Sequence, residues 1–199
     1  MKLAEPFIRP RLIRVILFSI IIGVPAALLV AKLSRVLVTG EVSLPIYGSV
    51  SNFILTEKSG KPFSLGDLKG KRWVASFMFT SCSGLCPMVN QEINRLQKLL
   101  PPDIRFVSFT VDPERDTPRI LSSYAKGFEA DDNRWFFLTG AKETLNRVTT
   151  SFHMSAIDNP SLHSLKLVLV DQNAQIRGYY DSSDQEAMKK LLADAKKLR

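Results

Sequence analysis

Two periods of hydrophobic positions run along this chain, and one stretch has no polar period at all. Residues 15–31 read VILFSIIIGVPAALLVA, seventeen positions without a charge. At about 1.5 Å rise per residue such a helix nearly spans a hydrocarbon core of about 30 Å, and Leu12, Ile13 and Leu33 extend it. The segment is apolar on every face, which suits lipid better than a soluble core. Pro25 is tolerated in a membrane helix. Residues 15–33 are therefore expected to form one transmembrane helix.

A linker rich in chain breaks follows at 34–50, with Gly40, Pro45 and Gly48. From 51 to 199 the pattern is that of a folded domain. Two strand-like runs in Ser51–Leu65 flank Ser59-Gly60 and predict a hairpin. Trp73–Thr80 is a continuous apolar run, the mark of a buried strand. Val89, Ile93, Leu96 and Leu100 recur at helical spacing until Pro101-Pro102 stops the helix. Ile104–Val111 is a second buried strand. Thr117-Pro118 reads as a cap and first helical residue, with Ile120, Leu121, Tyr124, Ala125 and Phe128 lining one face behind it. Trp135–Leu138 is a short strand, and Leu145, Val148 and Phe152 mark a further helix. Leu165–Val170 and Gln175–Tyr180 are strands joined by a turn at Asp171-Gln172-Asn173. The last helix opens with a capping box, Ser183 to Glu186, and buries Met188, Leu191, Leu192 and Ala195. This alternation predicts an α/β fold, a mixed sheet with helices on both faces. The first core strand leads into a helix that begins at the cysteines. Cys82 and Cys86 then fall at the C-terminal end of the sheet, where α/β proteins hold ligands.

Charge sharpens this picture. The formal net charge is +8. Six basic against two acidic residues up to position 41 carry half of it. The domain is only mildly basic and has no basic stripe with interleaved aromatics, so nucleic acid is a poor partner. Four basic residues precede the apolar run. The positive-inside rule places the tail, 1–14, in the cytoplasm and the domain outside. The run is long for a signal peptide and ends without a small-x-small cleavage site, so an uncleaved anchor is expected.

The chain has two cysteines, four residues apart in TSCSGLCPM. Outside the cytoplasm such a pair closes into a disulfide or holds a metal. A passive disulfide across so short a loop stabilises little. A helix N-terminus favours thiolate over thiol. Pro87 suits a first helical turn. A helical segment from Cys82 would put both sulfurs on one face, and a turn would use Gly84 to bring them together. Two soft thiolates with one imidazole suit copper, whereas two cysteines are too few for an iron–sulfur cluster. The imidazole must come from His153 or His163, the only histidines. His163 precedes the strand Leu165–Val170, whose start belongs beside the cysteine-bearing helix in a thioredoxin-like sheet. His153 ends a helix and is expected to face elsewhere. Met78 and Met88 are assigned to the core.

Three segments together carry a family resemblance. They are Phe79-Thr80-Ser81-Cys82 through Cys86-Pro87, then Val111-Asp112-Pro113-Glu114-Arg115-Asp116-Thr117-Pro118, then His163-Ser164 before a strand. From about Ser51 to Arg199 the chain resembles the Sco/SenC family of copper-binding thioredoxin-like proteins, which are tethered by one N-terminal helix. The resemblance implies a thioredoxin-like fold with an N-terminal hairpin extension, and Cys82, Cys86 and His163 as copper ligands. It implies a role in assembling the dinuclear copper site of cytochrome c oxidase. The partners would be a copper-accepting oxidase subunit and a periplasmic copper donor or thiol reductant. The chain would be a single-pass protein of a bacterial inner membrane with its domain in the periplasm. Ser83 and Gly84 stand where the family usually has Pro and an acid, and Leu162 where an acid usually precedes the histidine. The site thereby loses nearby negative charge, which weakens attraction for a cation and eases thiolate formation.

Two enzymatic functions compete with a copper chaperone. In a thiol–disulfide oxidoreductase, Cys82 would attack and Cys86 resolve. In a peroxidase related to peroxiredoxins, Cys82 would attack peroxide with Thr80 nearby. Arg115 and Asp116 either support the cysteine loop or guide a client. Mass spectrometry of the mature chain is expected to find the apolar segment retained; a start after residue 31 would refute the anchor.

Overall fold

The computed structural model describes residues 23–25, 44–154 and 165–198. The expected anchor lies outside the described residues except for Gly23–Pro25, which are helical. Among the described residues no helix is long and apolar enough to cross a membrane. His163 and Leu162 also fall outside them. The compact unit spans Leu44–Arg199.

That unit is built on one sheet of eight strands, β1 (Gly48–Ser49), β2 (Ile54–Glu57), β3 (Pro62–Ser64), β4 (Trp73–Met78), β5 (Arg105–Thr110), β6 (Trp135–Thr139), β7 (Lys166–Val170) and β8 (Gln175–Asp181). Among the described residues four α-helices accompany it, α1 (Leu85–Leu99), α2 (Pro118–Lys126), α3 (Lys142–Ser151) and α4 (Gln185–Lys197), with a short 3-10 turn at Leu65–Leu68. The order across the sheet is β1-β8-β7-β4-β5-β6-β2-β3. β4, β5 and β6 run parallel, and the other pairings are antiparallel. The unit β4-α1-β5, followed later by the hairpin β7-β8 and α4, is the thioredoxin-like arrangement expected. The β2–β3 hairpin adds the outer edge, turning where Gly60 adopts φ +83. β1 falls within the stretch expected to be linker and pairs with β8.

Every residue of β4 is buried, because helices cover both faces of its sheet position. Val74, Phe106, Trp135, Leu167 and Leu169 join α1, α2 and α4 in one apolar layer. Trp73, Phe77, Phe109, Val168 and Val170 join α3 and the β2–β3 hairpin in the layer on the other face. In that second layer Phe152 is fully buried among the rings of Trp73, Phe77 and Phe109.

Local departures from the expected pattern have local causes. β4 ends at Met78 rather than Thr80, because the backbone N–H of Thr80 turns away to the carboxylate of Asp116 at 3.2 Å. In α2 only Leu121 and Ala125 are buried, and Ile120 faces solvent. The last helix has no Ser183 capping box. Asp184 is its cap, accepting from the N–H of Glu186 at 2.8 Å, while the Ser183 hydroxyl donates to Asp181. Leu192 is only partly buried there.

Phe152→Ala empties a site enclosed by three aromatic rings and is expected to cost about 3–5 kcal/mol of stability. Urea unfolding measures it. The folded variant should retain wild-type reactivity at the cysteines, which belong to the opposite layer.

Candidate thiol and metal centre

β4 delivers the chain to the site. After Met78 the strand pairing with β5 ends in one last bond, from the N–H of Val111 to the carbonyl of Met78 at 2.9 Å. Residues 79–84 then form a turn in which the N–H of Cys82 bonds the carbonyl of Phe79 at 3.3 Å. Gly84 caps α1, and Leu85, Cys86 and Pro87 are its first turn. Of the two geometries open to the pair, this is the turn. Cys82 lies before the helix and Cys86 inside its first turn. Both are thiols.

The N-terminus of α1 points its unpaired N–H groups at Cys82. The N–H of Cys86 reaches the sulfur of Cys82 at 3.5 Å. Burial acts to raise the Cys82 thiol. The N–H groups of Cys86, Gly84 and Leu85 and the thiol of Cys86 outweigh it, so Cys82 sits below its ordinary value. Cys86 is 1% exposed. Burial pushes its thiol up to about 12, and the neighbouring charges of Cys82 and Asp116 act in the same direction. One pair of identical residues thus holds an accessible, acidified thiol and a buried one that keeps its proton.

Two polar features surround this pair: Asn90, which no sequence motif singled out, and Asp116, expected from the sequence to support the cysteine loop or guide a client. Asn90, one helical turn beyond Cys86, is fully buried and donates to the hydroxyl of Tyr124 at 2.8 Å. Burial, then the charges of Cys86, Cys82 and Asp116, raise the Tyr124 hydroxyl. Asp116 itself is 1% exposed and accepts from the backbone and hydroxyl of Thr80 and the hydroxyl of Thr110. From the loop after β5, Asp116 places a negative charge within electrostatic reach of Cys86. Met78 is in the core as expected, but Met88 is 56% exposed on α1.

His153 does not approach the thiols. It follows α3, takes φ 54, and its Nε2 lies 3.3 Å from the carbonyl of Tyr47. Its neighbours Phe152 and Met154 pack in the layer opposite the cysteines. Among the described residues no three His, Cys, Asp or Glu side chains stand together as a metal site. Leu165, two residues after His163 in the chain, packs against the apolar layer that holds Cys82 and Cys86. It is fixed there by a bond from the N–H of Ser182 to its carbonyl at 3.0 Å.

A thioredoxin-like sheet that carries an asymmetric C-x-x-x-C thiol pair at the end of its central strand defines a thioredoxin-fold thiol protein. Residues 47–198 match the family described as SCO1/SenC, and the chain belongs to that family. The SCO1/SenC family lipoprotein of Bacillus anthracis str. Ames is 33% identical, with a TM-score of 0.71 over 77% of this chain and 96% of that one. BsSco, described as having a disulfide switch and as a member of the Sco family of cytochrome c oxidase assembly proteins, is 28% identical. Its TM-score is 0.68 over 77% of this chain and 95% of that one. A putative copper-binding protein of Stutzerimonas stutzeri is 31% identical over 147 residues, 68% of this chain and 71% of its own.

Alkylation is expected to reach Cys82 roughly a hundredfold faster than Cys86 at neutral pH. Peptide mapping after a timed pulse reads both. The Cys82 rate should reach half its plateau below pH 9.0, its ordinary value, while Cys86 stays slow until near pH 12. Equal rates at the two sulfurs would contradict the asymmetry. Because the native state keeps the Cys86 proton longer than the unfolded chain does, stability should also fall as pH rises from 9.0 toward about 12.

Proposed function

We propose that this protein is a membrane-anchored copper chaperone that holds copper between Cys82, Cys86 and His163 and passes it to an oxidase subunit. The observation that carries the proposal is the thiol pair at the N-terminus of α1, where the N–H of Cys86 reaches the Cys82 sulfur at 3.5 Å and such donors favour its ionised form. Two thiolates are soft donors and suit copper(I), and an added imidazole tolerates copper(II) as well. Family membership and the relative described as copper-binding support the same ion. The relative described as a cytochrome c oxidase assembly protein supports an oxidase client.

His163 is assigned as the third donor through covalent reach. It lies two residues before Leu165, so their α-carbons are at most about 7 Å apart. Leu165 belongs to the layer of the cysteines, and His153 to the other. The anchor at 15–33, the tail at 1–14 and the periplasmic placement of the domain follow from hydropathy and basic flanks.

A second role rests on the unequal thiols. Cys82 is placed to attack a client disulfide as thiolate, forming a mixed disulfide and releasing one client thiolate. Cys86, giving up its proton, then displaces the second client sulfur, leaving a Cys82–Cys86 disulfide and a reduced client. Reduction of client cysteines before metallation uses the same pair as copper binding. The peroxidase alternative loses its one supporting feature, because the Thr80 hydroxyl is committed to Asp116.

The full chain is expected to bind one copper ion. Cys82→Ala or Cys86→Ala should abolish stoichiometric binding, His163→Ala should weaken it, and His153→Ala should leave it unchanged. Elemental analysis after gel filtration measures all four. Retention of one copper by Cys82→Ala would overturn the proposal.

A further inference from the structure

The stretch Val111–Pro118, VDPERDTP, has no part in copper binding or thiol exchange as described so far. Most of its polar groups are consumed in building a turn. Thr110 accepts from the N–H of Asp112 at 3.0 Å. The N–H groups of Arg115 and Asp116 bond the Asp112 carbonyl at 3.2 and 2.9 Å. The Arg115 guanidinium lies over Asp112 at 3.7 Å and remains in solvent, and Thr117 caps α2. One side chain is left aimed inward, that of Asp116.

Asp116 is a buried carboxylate whose partners are all hydroxyl or amide donors. Thr80 gives it a backbone N–H at 3.2 and 3.3 Å and a hydroxyl, and Thr110 gives a hydroxyl at 2.5 Å. Among the described residues no cation pairs with it. Burying a carboxylate without a counter-cation costs several kcal/mol even after the protein relaxes. A neutral acceptor would satisfy the same donors with a smaller desolvation penalty. Stability of the fold therefore does not explain the residue.

Its position does. Thr110 ends β5, and Thr80 stands two residues beyond the end of β4. The carboxylate ties these two points together where the strands stop pairing, and Cys82 follows two residues after Thr80. We propose that Asp116 is a positioning residue of the thiol pair: acting through Thr80, it holds the turn at 79–84 so that the sulfur of Cys82 lies over the N–H groups that open α1. The Asp116 charge also bears on Cys86, which stands on geometry independent of the clamp. The inference rests on the reading of Cys82 and Cys86 as the working thiols.

The test uses the metal-free full chain and three variants. Thr80→Val removes the hydroxyl donor, Thr80→Ser keeps it, and Asp116→Asn keeps an acceptor oxygen without the charge. Phe152→Ala, destabilised from the opposite face, is the control for stability alone. The readouts are the alkylation rate of Cys82 against pH and the thermal midpoint. Thr80→Val and Asp116→Asn are expected to slow alkylation about tenfold and move its midpoint to higher pH, as the sulfur loses its N–H contacts. Thr80→Ser should restore the wild-type rate, and Phe152→Ala should never lose it. Wild-type rates in every variant would overturn the proposal. So would a Thr80→Ser rate as slow as Thr80→Val, or a loss shared by Phe152→Ala. If Asp116→Asn fails to fold, the Thr80 pair decides by itself. Alkylation needs no copper, so failure of copper binding would remove the chaperone assignment and leave this result standing.

Discussion

The parallel pairing of β4 with β5, and the point at which it stops, is the constraint on which the rest of this structure depends. Six registered pairs, Trp73 with Arg105 through Met78 with Thr110, hold the two strands level. Past that point β4 becomes a turn and β5 becomes a loop, and the two meet again at the Asp116 carboxylate. A strand buried on both faces has no freedom to shift by one residue, because each step would exchange its two core faces. The position of Cys82 therefore inherits the rigidity of the sheet centre, although Cys82 itself is in a turn.

That placement explains how two cysteines four residues apart acquire different chemistry. Cys82 stands outside the helix, in line with its N–H groups. Cys86 has turned inward into the layer formed by α1, α2 and the sheet. Desolvation disfavours the charged form of both, but only Cys82 has amide donors sufficient to reverse it. A partly exposed thiol that ionises more readily than usual, beside a buried thiol that holds its proton, suits stepwise exchange with a disulfide. It also suits stepwise capture of a soft ion, in which the second sulfur loses its proton only once the ion neutralises the new charge.

The two faces of the sheet divide the labour. The layer of Trp73, Phe77, Phe109 and Phe152 is aromatic and carries no cysteine, and it anchors α3 and the β2–β3 hairpin. The layer beneath α1 carries the cysteines, Tyr124 and Leu165, the residue before β7. The antiparallel pairing of β7 with β4 brings the beginning of one strand to the end of the other. This is why Leu165, some eighty residues after Cys82 in the chain, lies at the same end of the sheet.

Much of this was legible in the amino-acid sequence. The continuous apolar run at 73–80 and the helical spacing of Val89, Ile93 and Leu96 are local signals, written in neighbouring side chains. So are the hairpin at Ser59-Gly60 and the cap at Thr117. The SCO1/SenC family was likewise readable from three short motifs. What the sequence could not show was which polar groups meet across the fold. For Asp116 the sequence left two readings open, support of the cysteine loop or guidance of a client, and only its bonds to Thr80 place it against that loop. Asn90 reads as a polar interruption of a helix face until Tyr124 is seen above it. The choice between a helical and a turn geometry for Cys82 is visible only in the structure, where the helix starts at Leu85 and Cys82 bonds back to Phe79. Secondary structure follows from the periods of nearby residues, whereas burial, hydrogen-bond partners and thiol acidity depend on contacts that exist only after distant segments have packed.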